Sequence, residues 1–167
     1  MTDKNIAFIG LGVMGGNMAR HLAQQAATNG IESLRLYNRD QKKTTAWLEQ
    51  WSGPVNMENP PLRVTALSDA AQAVAGADVV ITCLGNDASL RAVLLGQKDD
   101  VLSNTNPPSP TSSTHPLAVM ENSVLATMKP GSVLIDHTTA SAHLARDIYQ
   151  LAADRGIDFL DAPVSGG

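Results

Sequence analysis

Gly10, Gly12 and Gly15 sit between an apolar run and a helical repeat, and that order leaves few folds open. The run Ile6 to Ile9 has the pattern of a buried parallel strand. Beyond the glycines, Met14, Met18 and Leu22 recur every four residues, the spacing of one helix face. Strand, glycine turn and helix together make the Gly-x-Gly-x-x-Gly fingerprint of a dinucleotide-binding unit. Each glycine has a separate task. Gly10 permits the tight turn out of the strand, Gly12 leaves the backbone open to a pyrophosphate, and Gly15 lets the helix lie close on the strand. The helix start then offers unpaired N–H groups and the positive end of its dipole to the phosphates. Gly10, Leu11, Gly12, Val13, Met14 and Gly15 are therefore candidate cofactor-binding residues.

Strand-like and helix-like segments alternate along the rest of the chain. The pattern predicts strands at Ile6–Ile9, Ser33–Tyr37, Arg63–Ala66, Val79–Leu84, Ser132–Asp136 and Asp158–Leu160. It predicts helices at Gly15–Ala26, Lys42–Trp51, Asp69–Val74, Ser89–Leu95, Leu117–Met128 and Ser141–Arg155, the last ended by Gly156 as a C-cap. Such alternation implies an α/β fold of the Rossmann type. That is a doubly wound, mainly parallel sheet with helices on both faces. All 167 residues fit one domain. Two stretches interrupt the alternation. Residues 52–61 hold Gly53, Pro54, Pro60 and Pro61 and read as a loop. Residues 103–116 carry four prolines and no large apolar side chain, so they form a surface excursion, either a plain insertion or a lid or docking loop. His115 within it reads as a solvated side chain.

Composition narrows the function classes. A net charge of −4 gives no sign of affinity for nucleic acid or anionic membrane. No apolar run approaches the roughly 20 residues of a membrane span. The first strand begins almost at once, which leaves no room for a leader peptide, so the expectation is a soluble, cytoplasmic protein. The single cysteine, Cys83, lies in an apolar run and reads as a buried structural thiol.

The residues after the second strand bear on the cofactor. NAD enzymes place a carboxylate about 20 residues after the glycines, where it bonds the ribose 2′-hydroxyl. Asn38 and Arg39 stand there instead, followed by Lys42, Lys43 and Thr44. A guanidinium bonds a 2′-phosphate bidentately, and a carboxylate would repel it. The expectation is NADP, with NAD as the alternative that the nearby Asp40 keeps open.

At this point the sequence resembles the β-hydroxyacid dehydrogenase family. That family includes 3-hydroxyisobutyrate, tartronate semialdehyde and 6-phosphogluconate dehydrogenases and some imine reductases. Ile9-Gly10-Leu11-Gly12-Val13-Met14-Gly15 is similar to its opening motif, Tyr37-Asn38-Arg39 to its NADP-type turn, and Asp136-His137-Thr138-Thr139-Ala140-Ser141 to its Asp-x-Ser-Thr segment. Asp161-Ala162-Pro163-Val164-Ser165-Gly166-Gly167 is similar to its substrate-binding motif. The resemblance implies an oxidoreductase that moves hydride between NADP and a small 3-hydroxy acid or its semialdehyde.

Ligands of a doubly wound sheet sit outside the C-terminal strand ends, so Cys83, Leu84, Gly85, Asn86, Thr138 and Thr139 should converge on the nicotinamide side. Arg39 and Lys43 would hold the other end of the cofactor. Thr138, Ser165, Gly166 and Gly167 become candidate contacts to a substrate carboxylate. Thr138 before a helix is equally a helix cap, and the two roles are compatible. The family usually has serine at the position of Thr138. Its catalytic lysine and an all-helical domain lie downstream of the Ser-Gly-Gly segment, so no catalytic residue is assigned here, and the 167 residues alone should be inactive. The apolar surface that such a domain would cover should be exposed or used for self-association. A different reading is a non-catalytic nucleotide-binding or redox-sensing module completed by a partner chain.

Overall fold

A computed structural model describes residues 4–26, 28–51, 62–97 and 117–164. Its strands are β1 (Lys4–Ile9), β2 (Ile31–Tyr37), β3 (Arg63–Ala66), β4 (Val79–Thr82), β5 (Val133–Asp136) and β6 (Asp158–Asp161). Its helices are α1 (Val13–Gln24), α2 (Gln41–Trp51), α3 (Ala70–Val74), α4 (Asp87–Leu95), α5 (Val124–Thr127) and α6 (Ala142–Ala153). The six strands form one sheet in the order β3-β2-β1-β4-β5-β6, and every pairing is parallel. The order reverses between β1 and β4, which is the switch point where a doubly wound sheet opens a crevice.

Alternation along β1 sends side chains to two cores. Ile6 and Phe8 pack with Leu34, Leu36, Ala19 and Trp47 under α1 and α2. Ala7 and Ile9 face the opposite layer, where Val80 and Leu134 meet Leu90, Leu94, Leu125, Leu144 and Ile148. Residues on adjacent strands therefore line up at one end of the sheet. Tyr37, Ile9, Thr82, Asp136 and Asp161 form a single row across β2, β1, β4, β5 and β6.

Most elements lie where their patterns predict, with shifted ends. α4 starts at Asp87, two residues ahead of the predicted Ser89, because Asn86 caps it and accepts the Ser89 N–H. Ser141 likewise caps α6 by accepting the Leu144 N–H. Gly156 follows α6 at φ +67, with the Gly156 N–H bonded to the Ala153 carbonyl and the Ile157 N–H to the Ala152 carbonyl. That is a Schellman ending, which glycine allows without strain. Two differences are larger. The helix predicted at Leu117–Met128 is only Val124–Thr127, since Asn122 turns the chain at φ 64 and Ser123 then caps a fresh turn. β4 stops at Thr82 rather than Leu84, because the Leu84 N–H leaves the ladder for the Thr138 hydroxyl at 3.0 Å. The predicted loops at 52–61 and 103–116 lie outside the described residues.

Candidate functional site

A cleft of about 1090 Å³ lies over the C-terminal strand ends. The glycine turn forms its floor. Gly10 has φ +99, and a Cβ there would stand 2.3 Å from the Cys83 carbonyl oxygen. A Cβ on Gly15 would stand 2.0 Å from the Gly10 carbonyl oxygen, so that position must stay bare for α1 to reach the strand. Gly12 differs, for a Cβ there would meet nothing within 4 Å. Its missing side chain thus opens space toward the cleft rather than relieving a clash. Gly12 is also the N-cap of α1, with no side-chain cap and no acidic residue in the first turn. The helix start keeps its positive character for an anion. Val13, 83% exposed, and Met14 flank this opening, whereas Leu11 points into the α1–α2 core.

The turn after β2 is tied to the glycine turn. The Asn38 side-chain oxygen accepts the Leu11 N–H at 2.9 Å, and its amide donates to the Asp40 carbonyl at 3.0 Å. Asn38 therefore braces the loop with its side chain. Asp40 is also occupied, since its carboxylate accepts the Lys42 N–H at 3.1 Å in the first turn of α2. Arg39 and Lys43 are exposed and line the cleft. Tyr37 lies beneath them. Burial pushes its phenol up, the Asp69 carboxylate adds to this, and the Arg39 guanidinium opposes it.

At the other end, β4, β5 and β6 converge. Cys83, Leu84, Gly85 and Asn86 line the cleft after β4, and His137 and Thr139 line it after β5. Burial and the charge of Asp136 raise the Cys83 thiol, against a hydrogen bond from the Gly15 amide, so the sulfur stays protonated. Asp136 is buried beneath. Its Oδ1 accepts the Thr82 hydroxyl at 2.6 Å and the Thr138 N–H at 3.0 Å. Burial raises its carboxyl above the ordinary range, with the hydrogen bonds from Thr138 and Thr82 opposing. Thr138 is 1% exposed, and its hydroxyl accepts from Leu84, so it holds the β4 and β5 loops together rather than facing the cleft. Thr139 faces the cleft and donates to the Val164 carbonyl at 3.1 Å. Asp87 ties the start of α4 to that of α6. Its carboxylate accepts the Ser141 N–H at 2.8 Å and hydroxyl at 2.5 Å, and the hydroxyl bond in particular holds its carboxyl below the ordinary range.

The cleft thus gathers Gly10, Gly12, Val13, Met14, Gly15, Asn38, Arg39, Lys43, Cys83, Leu84, Gly85 and Asn86, which the sequence reading also singles out. It turns Leu11 and Thr138 inward. Ser165, Gly166 and Gly167 lie outside the described residues. Sequence reasoning missed Tyr37, Asp69 and His137 as lining residues. Position at or just past a C-terminal strand end was the available signal for all three. Among the described residues, no cluster of histidine, cysteine and carboxylate side chains is placed to hold a metal. No helix among them is long and apolar enough to cross a membrane.

Comparison with known proteins bears on this geometry. Residues 5–109 and 110–167 match the family described as the NAD binding domain of 6-phosphogluconate dehydrogenase. An uncharacterized oxidoreductase of Shewanella frigidimarina is 40% identical over 97% of this chain, which covers 42% of that relative. A probable 3-hydroxyisobutyrate dehydrogenase-like protein of Arabidopsis thaliana is 32% identical over 97% of the chain, covering 40% of its own length. Among solved structures, 3-hydroxyisobutyrate dehydrogenase of Mycobacterium tuberculosis with L-serine superposes with a TM-score of 0.64 at 28% identity, over 99% of this chain and 42% of that one. The chain spans less than half the length of these relatives.

Proposed function

Because the chain belongs to the family of NAD binding domains typified by 6-phosphogluconate dehydrogenase, we propose that its cleft binds NADP(H) for an oxidoreductase acting on a small 3-hydroxy acid or its semialdehyde. The observation that carries this is Gly12. It is an uncapped helix start with open space where a side chain would be, so a pyrophosphate fits against backbone N–H groups. NADP is favoured over NAD by the turn after β2. Arg39 and Lys43 present positive charge, and of the two carboxylates the described residues place along the cleft, Asp40 accepts the Lys42 N–H and Asp69 accepts the Gln72 N–H. Asn38, in the place of the usual carboxylate, is engaged with Leu11.

The nicotinamide supplies hydride chemistry when bound. The chain's own residues do the rest. Asn38 fixes the glycine turn, and Thr138 and Asp136 fix the loops after β4 and β5. Leu84 and Gly85 shape the path between the two ends, and Thr139 with the Ser165-Gly166-Gly167 segment is proposed to receive the substrate carboxylate. In the β-hydroxyacid dehydrogenases that the sequence resembles, proton transfer to the substrate oxygen is the task of a lysine carried beyond the Ser-Gly-Gly segment. Among the described residues that line the cleft, the lysine is Lys43, at the β2 end. The 167 residues are therefore proposed to bind the cofactor without turning substrate over, in a cytoplasmic setting.

The test is a paired measurement on this chain. NADPH binding is followed by fluorescence, and oxidation of 3-hydroxyisobutyrate with NADP is followed by absorbance. Binding without turnover is expected. Sustained turnover would contradict the inactivity, and absence of NADPH binding would contradict the site.

A further inference from the structure

Basic side chains stand at both ends of the cleft. Among the described residues that line it, the basic side chains are Arg39, Lys43 and His137. Arg39 and Lys43 follow β2, whereas His137 follows β5, which lies beyond β1 and β4 in the strand order. At about 4.8 Å per strand spacing the two ends are roughly 14 Å apart. A dinucleotide anchored at Arg39 and crossing the glycine turn therefore runs toward His137.

His137 is held in one orientation. Its Nδ1 lies 2.7 Å from the Ala162 carbonyl oxygen. A carbonyl only accepts, so Nδ1 carries a hydrogen and Nε2 is the ring nitrogen left for a ligand. The backbone is pinned on both sides, with the His137 N–H donated to the Thr82 carbonyl at 2.8 Å and the His137 carbonyl accepting the Val164 N–H at 3.3 Å. The neighbouring titratable groups have other engagements. Cys83 just after β4 is kept protonated by burial and the charge of Asp136, Asp136 on β5 is engaged by Thr82 and Thr138, and Asp87 at the start of α4 is engaged by Ser141. Asp161 on β6 is exposed to water.

We infer that His137 is a substrate-binding residue whose protonated Nε2 meets the carboxylate of the hydroxy acid at the β5 end of the cleft. This rests on the reading of the cleft given above and deepens it. A 3-hydroxy acid brings a full negative charge to that end, and His137 is the basic side chain the described residues place there. The Nδ1 bond to Ala162 orients the ring, so little freedom is lost when the carboxylate binds.

The test uses the 167-residue chain at pH 6 in two steps. NADPH is titrated first by calorimetry. 3-Hydroxypropionate, which cannot react with the reduced cofactor, is then added to the loaded protein, with neutral 1,3-propanediol as the control. His137→Gln keeps an amide donor for the Ala162 carbonyl but carries no charge. The variant should bind NADPH within about twofold of wild type and lose about tenfold in 3-hydroxypropionate affinity, the scale of one charge-assisted hydrogen bond. In the wild-type chain the His137 ring nitrogen resonance should shift with the acid and not with the diol, a readout independent of how the variant folds. A ring signal unmoved by the acid, or a variant that binds it as well as wild type while NADPH is bound, overturns the inference. Failure of NADPH itself to bind overturns the reading of the cleft and the inference with it.

Discussion

A methyl group at Gly12 and one at Gly15 have opposite consequences. The Gly15 methyl would stand 2.0 Å from the Gly10 carbonyl oxygen, so Gly15→Ala should destabilise the fold by about 1–3 kcal/mol or more, read as a lower urea midpoint. The Gly12 methyl meets no protein atom, and its φ of −72 suits alanine. Gly12→Ala should therefore keep the urea midpoint and weaken NADPH binding by roughly tenfold or more, about 1.4 kcal/mol. Equal loss of stability in both variants would contradict the separation of roles. Asp136 makes a second case. Its carboxyl is raised by burial in the folded state, so the folded chain binds a proton more readily than the unfolded chain. The resulting destabilisation is absent below the unfolded carboxylate range and complete above the raised folded value. Asp136→Asn keeps an oxygen for Thr82 and Thr138. It should be at least as stable as wild type near neutral pH and should lose the gain that wild type shows on mild acidification. Asp136→Ala leaves those donors unpaired and should cost about 1–3 kcal/mol in denaturant unfolding.

Helix ends show where sequence was legible and where it was not. Gly156 is readable because glycine takes φ +67 without strain, and the helix before it is strongly one-sided, with Leu144, Ile148 and Ala152 buried. Gly156→Ala should cost about 1–2 kcal/mol in thermal or urea unfolding and leave cofactor affinity unchanged. A weakened affinity would show that α6 reaches the site more directly than its position implies. α5 was misjudged because its sequence keeps helical spacing through Asn122, and the break there is a backbone turn that hydrophobic periodicity does not register. The glycine turn and the Arg39 turn were legible because each rests on residue types with few substitutes. Thr138 was legible only as a position. Its inward rotation follows from a hydrogen bond to Leu84, which is 54 residues away in the chain. Tyr37 and His137 escaped notice as lining residues because a strand end marks a position, whereas the cleft wall is set by which neighbouring strands stop beside it.

Across the whole molecule, the sheet order and the strand-end row place a cationic turn at one end of the cleft and the β4–β6 loops at the other. The outer face of β6 also bears on behaviour, since Leu160 is 52% exposed on the edge strand. Self-association of the isolated chain through this edge should appear as a concentration-dependent dimer in sedimentation and be lost in Leu160→Lys; a monomer at every concentration would contradict it. The cleft itself is tested most directly by calorimetry of NADPH and NADH against wild type and Arg39→Ala. The account predicts that wild type binds NADPH more tightly than NADH and that Arg39→Ala binds NADPH only as well as NADH. Equal affinities in wild type would contradict the role given to Arg39, and failure to bind either would contradict the cofactor site.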